Sequence, residues 1–332
     1  MGKKALVSIG GIAVLVAVVF AICYYVIDNG GSDSQYIYEV NLTDNETEII
    51  EEFEKVPLSE APLPSILMPQ ASGKVVYSNN YIKMDASNIS DGYVMMAYTG
   101  LSQEKLKVII TCPSKVKYTY NLTDGGDYEV FPLSDGNGKY NITAYKNITG
   151  IKYSTIYSKD ITVNLESEFA PFLLPNQYVN YTPESKVVQK ANELVNNKED
   201  ELEAVKDIYQ YVVTNITYDK VKIKNVRSGY LPDLDDVLKK KKGICFDYAA
   251  VMTAMLRSQD IPCKLVIGYS GSVYHAWINV YTEKSGWINK AVFFDGAKWK
   301  LMDPTYASSG KQSKSIMRYI ENEKNYSAKY LY

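Results

Sequence analysis

The segment Gly243–Ile244–Cys245–Phe246–Asp247–Tyr248–Ala249 is predicted to be a short loop that leads into a helix. Apolar residues continue after it at helical spacing, and Gly243 allows a tight turn before the helix begins. Cys245 should therefore lie at or near the helix N-terminus, where unpaired backbone N–H groups and the positive end of the helix dipole favour a thiolate. The backbone N–H of this cysteine is also a candidate donor to an oxyanion.

The strands predicted after this helix bring in a base and a carboxylate. Periodicity predicts three strands, Lys264–Tyr269, Tyr274–Tyr281 and Lys298–Met302. His275 lies at the start of the second strand, and Asp303 directly follows the third. Adjacent antiparallel strands can place these two side chains next to each other. The imidazole could then accept the thiol proton while the carboxylate fixes its tautomer.

Each of these residues also has a purely structural interpretation. A single cysteine is usually a small buried apolar residue, and an aspartate before proline usually forms a turn. Asp247 either caps the helix or tunes the site, and we favour the cap. Cys263, at the start of a strand, is interpreted as structural. The catalytic interpretation depends on Cys245, His275 and Asp303 occurring together, in this order, on a helix start, a strand start and a strand end.

Four segments then resemble one known family, the transglutaminase-like superfamily. They are Gly243–Ala249, Met255–Pro262, His275–Trp277 and Trp299–Thr305. The resemblance covers roughly Phe169 to Tyr306 and implies a papain-like α+β fold. It also implies that Cys245 is the nucleophile, His275 the base and Asp303 the residue that orients the base. The β-rich stretch before this core resembles the Ig-like domain that often precedes such cores in bacterial surface proteins.

One departure from the family concerns the oxyanion. Animal transglutaminases have a tryptophan upstream of the cysteine, whereas all three tryptophans of this chain come after Cys245. The second oxyanion donor is therefore unassigned, with Tyr218 and Tyr230 as upstream candidates. Nothing resembles the calcium sites of the animal enzymes, and we expect neither a metal nor a cofactor. With one histidine and no Cys-x-x-Cys pair, a zinc site of usual ligand spacing cannot be built.

The N-terminus is predicted to be a membrane anchor. Lys3 and Lys4 precede an uncharged apolar run, Ala5–Ile27, which is long enough to cross a bilayer and should keep its lysine end in the cytoplasm. A cleaved signal peptide and a lipoprotein acylated at Cys23 are the alternatives. Several Asn-x-Ser/Thr sequons fit an external location, although these residues are also common in turns.

The patterning divides the chain into four regions. Residues 1–28 are the predicted transmembrane anchor, 29–72 a polar and proline-rich stalk, 73–166 an Ig-like β-sandwich, and 167–332 the catalytic domain. The fold class is thus α+β, a papain- or transglutaminase-like core preceded by a β-sandwich. Strands are predicted at Tyr93–Tyr98, Lys105–Thr111, Lys115–Asn121, Tyr128–Pro132, Tyr140–Tyr145 and Lys159–Leu165. Helices are predicted to begin at Thr182–Pro183 and near Asp200.

Composition bounds the class of protein and its partners. The chain has 332 residues, of which 46% are apolar, and a formal net charge of −2. These values describe a globular protein without the strong positive field that nucleic-acid binding uses. Whether Cys112 pairs with Cys263 is left open by the sequence.

The expected function is that of a single-pass membrane protein with an extracytoplasmic thiol enzyme. It would act on a protein or peptide substrate, with cell-wall peptide among the candidates. The reaction would be either transfer of a glutamine acyl group to an amine or peptide hydrolysis, through a thioester. The alternative is a surface binding or wall-interaction module that keeps the fold without turnover.

Overall fold

The computed structural model describes residues 66–101, 104–195, 200–288 and 292–332. The predicted transmembrane segment and most of the predicted stalk lie outside these residues. Within the described ranges, no helix is both long and apolar enough to cross a membrane.

The first part of the described chain is made of eight strands. Their bounds are β1 (Val76–Ser78), β2 (Ile82–Asp85), β3 (Tyr93–Tyr98), β4 (Leu106–Thr111), β5 (Lys117–Leu122), β6 (Glu129–Pro132), β7 (Gly138–Thr149) and β8 (Lys152–Val163). They form two four-stranded antiparallel sheets, in the orders β1-β2-β3-β6 and β5-β4-β7-β8. We refer to them together as the β-rich part.

Alternation of buried and outward residues explains these sheets. Strand β4 buries Leu106, Val108 and Ile110 and turns the residues between them outward. Strand β5 alternates in the same way, and the inward faces of both sheets belong to one hydrophobic core. The strand predicted at Tyr93–Tyr98 is β3, whereas the one predicted at Lys159–Leu165 is the end of the longer β8. Pairing along β7 supplies the hydrogen bonds that extend β8 through polar sequence.

Seven helices are found in the described ranges of the second part. Their bounds are α1 (Lys186–Val195), α2 (Glu201–Asn215), α3 (Lys222–Asn225), α4 (Leu234–Lys240), α5 (Cys245–Arg257), α6 (Pro304–Ser309) and α7 (Lys314–Glu321). Helix α2 starts as predicted, because the carboxylate of Asp200 accepts a hydrogen bond from Leu202 N.

The start of α1 was predicted wrongly at Thr182–Pro183. The helix begins at Lys186, and its first N–H groups donate to the carboxylate of Asp235 at 3.0 Å (Lys186 N) and 2.9 Å (Val187 N). The cap is thus supplied by the second residue of α4, which is far away in the sequence. Local sequence carries no signal for such a cap.

The remaining strands complete a second sheet system. Their bounds are β9 (Thr217–Tyr218), β10 (Lys242–Gly243), β11 (Cys263–Ser270), β12 (Val273–Thr282), β13 (Ser285–Ile288), β14 (Val292–Asp295), β15 (Lys298–Met302) and β16 (Tyr326–Leu331). The main sheet has the order β15-β12-β11-β16, β9 pairs with β10, and β13 pairs with β14. Helix α5 is buried along its whole length and packs against β11 and β12.

Strand β16 was not predicted, and its docking depends on a glycine of β11. A Cβ on Gly268 would lie 2.1 Å from the backbone oxygen of Ser327, so only glycine fits at this close approach. The register of β11 against β16 shifts between Ile267 and Gly268. Tertiary contact, rather than a strong local pattern, therefore places β16 in the sheet.

The β-rich part and the second part are in direct contact near the end of β16. The hydroxyl of Tyr118 on β5 accepts a hydrogen bond from Leu331 N at 3.1 Å, and Ser134 Oγ donates to Leu331 O at 2.7 Å. Tyr332 stacks on Tyr178 with ring centroids 3.9 Å apart. The two parts therefore share a polar and aromatic boundary.

Lys264 on β11 provides a test of buried charge in this sheet. Its ammonium lies 3.6 Å from the ring centroid of Trp299 and 4.7 Å from that of Phe172. Burial lowers the pKa of Lys264 to about 8, and the charge of Glu168 opposes this shift only in part. The folded chain therefore loses this proton at a lower pH than the unfolded chain, in which the lysine pKa is roughly 10.4.

We expect the wild-type chain to gain stability relative to Lys264→Met as the pH rises from about 8 to about 10.5. In that window the unfolded state binds more protons than the folded state, so the free energy of unfolding increases with pH. Urea denaturation of both chains at several pH values measures the difference. Lys300→Met, on β15, is the control. A difference between wild type and Lys264→Met that stays constant across the window would contradict the prediction.

Candidate active site

Helix α5 begins at Cys245, as the sequence predicts. Ile244 is the capping residue, with extended backbone angles (φ −93°, ψ 176°), and its N–H donates to Asp247 Oδ2 at 2.8 Å. A Cβ on Gly243 would lie 2.6 Å from the Cβ of Asp247, so this close turn requires glycine. The interpretation of Asp247 as a helix cap is confirmed.

The Asp247 carboxylate is completely buried and has two further donors. Lys222 Nζ donates to Oδ2 at 2.7 Å, and the Tyr230 hydroxyl donates to Oδ1 at 2.5 Å. Burial, together with the charge of Asp247, raises the pKa of Tyr230. The Tyr230 hydroxyl, a candidate second oxyanion donor, is thus engaged by Asp247. The other candidate, Tyr218, lies on β9 beside Gly243.

His275 and Asp303 are in direct contact. His275 Nε2 lies 2.8 Å from Asp303 Oδ2, and both residues are only 1% exposed. The contact follows from the pairing of β12 with β15, which places Ile278 opposite Met302 and brings the next residue, Asp303, beside the start of β12. Low exposure strengthens this interaction because little water competes for the carboxylate.

Two further donors fix the Asp303 carboxylate. Asp303 caps helix α6, with Oδ1 accepting from Tyr306 N at 3.0 Å. Oδ2 accepts from the Tyr326 hydroxyl at 2.9 Å. Burial and the charge of Asp303 raise the pKa of Tyr326, so its hydroxyl stays protonated and remains a donor. Helix α6 and strand β16 therefore both hold the group that orients the imidazole.

Aromatic rings enclose the imidazole. The Tyr306 ring stacks on His275 with a centroid separation of 4.4 Å and an interplanar angle of 9°. Trp277, two residues along β12, lies 6.4 Å away at an angle of 21°. The Tyr306 ring covers one face of the imidazole and restricts the rotation of His275.

Cys245 is fully buried at the start of the helix that packs on β12. Its two chain neighbours, Ile244 and Phe246, line a cavity of about 280 Å³ together with His275. Since His275 Nε2 is engaged by Asp303, Nδ1 is the ring nitrogen that would have to accept a proton from the thiol. The first turn of α5 directs its N–H groups away from the helix body, as an oxyanion site requires.

The other described cysteines, Cys112 and Cys263, are also buried. Cys112 and Cys263 are not joined by a disulfide, so the pairing that the sequence left open does not occur. Burial raises the pKa of both Cys112 and Cys263 to about 12, which makes them poor nucleophiles at neutral pH. Among the residues that the structure describes, no group of three or more His, Cys, Asp or Glu side chains could hold a metal ion.

Sequence reasoning missed Tyr306 and Tyr326. Both contact the His275–Asp303 pair, yet tyrosine occurs 30 times in the chain, so neither position stands out. Tyr306 lies three residues after Asp303, where a capping aspartate receives a backbone N–H, and that spacing was the one available signal.

Tyr326→Phe should lower the free energy of unfolding by about 1.5–3 kcal/mol, the usual contribution of a hydrogen bond to a charged group. The ring contact with Trp277, at 5.1 Å between centroids, would be kept. The loss should persist between about pH 6 and pH 9, because the tyrosine pKa is raised and the hydroxyl remains a donor. Chemical denaturation of the wild-type and Tyr326→Phe chains measures the loss in free energy of unfolding. Tyr330→Phe on the same strand is the control, and equal losses in both variants would contradict the prediction.

Comparison with known proteins gives a family match that covers this site. Residues 188–304 match the model described as the transglutaminase-like superfamily. The matched range contains Cys245, His275 and Asp303. It also contains α5 and the three strands β11, β12 and β15 that carry or support these residues.

Similarity to individual proteins is more distant. The chain is 25% identical over 193 residues to the uncharacterized protein YebA of Bacillus subtilis (strain 168), which covers 50% of this chain and 25% of YebA. The chain thus spans about a quarter of the length of this curated relative.

Two solved structures share partial similarity. A candidate cysteine protease from Cytophaga hutchinsonii matches at 15% identity with a TM-score of 0.36, over 70% of this chain and 72% of that one. Red sea bream transglutaminase matches at 12% identity with a TM-score of 0.29, over 69% and 53%. Both TM-scores lie below 0.5, so neither structure adds to the assignment. The match of residues 188–304 bears out the resemblance seen in the sequence, and this segment is similar to the transglutaminase-like superfamily.

Proposed function

We propose that the chain is a thiol enzyme that acts on peptide or glutamine amides through Cys245, His275 and Asp303. The observation that carries the proposal is the buried contact of 2.8 Å between His275 Nε2 and Asp303 Oδ2. Because this contact engages Nε2, Nδ1 of His275 is left as the proton acceptor. His275 lies on β12, which packs against the helix that begins with Cys245. A buried, oriented imidazole beside a helix N-terminus is an arrangement that activates a thiol.

The proposed reaction has two halves. The Cys245 thiol gives its proton to His275 Nδ1, and the sulfur attacks the amide carbon, which places a negative charge on the carbonyl oxygen. N–H groups at the start of α5 would stabilise that oxyanion. The intermediate then breaks its C–N bond, and the imidazolium returns the proton to the leaving nitrogen. The thioester that remains is resolved by water in hydrolysis or by an amine in transfer.

The proposal extends to the placement of the enzyme. The run Ala5–Ile27 would anchor the chain in the cell membrane, and the catalytic domain would lie on the extracytoplasmic side. The two-sheet β-rich part would be an Ig-like domain that holds the catalytic domain away from the bilayer. Protein or peptide at the cell surface, cell-wall peptide included, would then be the accessible substrate.

A binding module without turnover is the second candidate function. Cys245 is completely buried and His275 is 1% exposed, which favours a site closed to substrate. In that case the sulfur would react with small electrophiles no faster than free cysteine.

The two candidates are separated by incubating the chain with a glutamine-bearing test protein and a fluorescent primary amine. Uptake of the amine indicates transfer, and new peptide N-termini indicate hydrolysis. Iodoacetamide labelling near pH 7 is measured in parallel, peptide by peptide. Fast labelling of Cys245 that slows in His275→Ala supports the enzyme. If neither product forms and Cys245 is labelled no faster than free cysteine, the result supports the binding module.

A further inference from the structure

The cavity beside His275 is lined by both parts of the chain. The second part contributes the start of α5, residues 274–276 of β12 and the loop 226–231. The β-rich part contributes Lys107 from β4 and Thr119 and Asn121 from β5. Lys107 pairs with Asn121 across the two strands, so these residues share the outward face of their sheet. The cavity therefore extends from the candidate catalytic pair onto the β-rich part.

A side-chain clamp holds this outward face against the second part. The side chain of Gln177 makes the pair of hydrogen bonds to β5 that a neighbouring strand would make. Its Oε1 accepts from Asn121 N at 3.0 Å, and its Nε2 donates to Asn121 O at 2.9 Å. Tyr178 donates its hydroxyl to Thr119 O at 3.1 Å. Strand β5 is the edge of its sheet, and these bonds use its outer edge. The wall formed by β4 and β5 is consequently a fixed part of the cavity.

The charged side chains that line the cavity are basic. Lys107 and Arg227 are the lysine and arginine of the described lining, and none of the described lining residues is an aspartate or a glutamate. Lys107 is half-buried, with its ammonium 4.8 Å from the ring centroid of Tyr153, while Arg227 is exposed. Lys222, behind the Tyr230 ring, is already neutralised by Asp247. A fixed positive potential in a partly enclosed site favours an anionic group on the ligand.

We infer that the cavity receives a peptide segment with a carboxylate close to the reacting amide, and that Lys107 and Arg227 recognise this carboxylate. The inference rests on the proposed function, whose substrate class it narrows. Guanidinium and ammonium groups are the side chains that pair with carboxylates, and the tyrosine-rich lining offers apolar contact for the rest of the segment. The β-rich part would thus supply a specificity residue to the catalytic domain.

The test is direct binding of two fluorescein-labelled pentapeptides that differ only in aspartate or asparagine beside a central glutamine. Fluorescence polarisation is measured with the full chain carrying Cys245→Ala, so that the result does not depend on turnover. We expect the aspartate peptide to bind at least about fivefold more tightly, and the advantage to shrink as salt is raised. Adding Lys107→Glu or Arg227→Glu should remove this preference.

Lys139→Glu is the matched control, because Lys139 lies exposed on β7 of the same sheet and does not line the cavity. It should keep the preference for the aspartate peptide. Equal binding of the two peptides, no binding of either, or the same loss in Lys139→Glu as in Lys107→Glu would overturn the inference. A chain that prefers the aspartate peptide but forms no product from any amide would refute the proposed function alone.

Discussion

Replacing Cys245 by alanine is expected to lower turnover of any amide substrate by at least about 10⁴-fold. The sulfur is the one atom in the proposed mechanism that forms a covalent bond to the substrate, so no neighbouring group can replace it. The helix should remain intact, because alanine is the best helix former and the site is closely packed. Circular dichroism and the midpoint of thermal unfolding check the fold, and the amine-uptake and peptide-release assays check turnover.

Two other cysteines provide controls for this variant. Cys112→Ala and Cys263→Ala each remove a buried thiol whose pKa is raised to about 12 by burial. Each should cost about 1 kcal/mol of stability and leave turnover within a few-fold of wild type. Full activity of Cys245→Ala would end the proposal of a thiol enzyme. Equal loss of activity in all three variants would show that the effect comes from packing rather than from the nucleophile.

Arg257→Met is expected to lower the free energy of unfolding by about 3–5 kcal/mol, the largest effect on stability that we predict. Arg257 is the last residue of α5, and its guanidinium is buried. It donates to three backbone oxygens, at 2.6 Å to Leu174, at 2.9 and 2.8 Å to Cys263, and at 2.6 Å to Tyr332. Methionine fills much of the same volume but leaves those carbonyl groups without these donors.

The opposing contribution is the desolvation of the guanidinium, which lowers the pKa of Arg257. Removing the charge recovers that cost, yet the loss of hydrogen bonds to three separate chain segments should outweigh it. Arg257→Lys should be almost as damaging, since a single ammonium cannot reach three oxygens in the geometry of a planar guanidinium. Urea denaturation of the three chains measures the effect. A loss below about 1 kcal/mol in Arg257→Met would contradict the prediction.

If Arg257 has this role, it also connects stability to the candidate site. It ties the end of α5 to Leu174 before the first helix and to the residue after β16. The opposite end of the same helix begins with Cys245, and β16 carries Tyr326, which donates to Asp303. A variant that loosens this anchor should therefore weaken the alignment of the site before the whole domain unfolds. Slower iodoacetamide labelling of Cys245 at denaturant concentrations below the transition would report it.

The sequence by itself determined the elements that carry the candidate catalytic residues. The helix beginning at Cys245, the β12 and β15 strands and the cap at Asp247 all agree with the prediction, because each depends on periodicity or on contacts within a few residues. Family resemblance then extended the prediction to the superfamily, which the match to residues 188–304 confirms.

Only the tertiary structure decided which distant groups complete those elements. Asp235 caps α1 from 49 residues away along the chain. Tyr326 donates to Asp303 from β16, a strand that was not predicted from the sequence. The position of Lys107 in the cavity lining also depends on tertiary packing, because the β-rich part must dock beside His275. Contacts between residues that are remote in the sequence depend on how whole helices and strands pack together. Amino-acid periodicity indicates only which face of each element is buried.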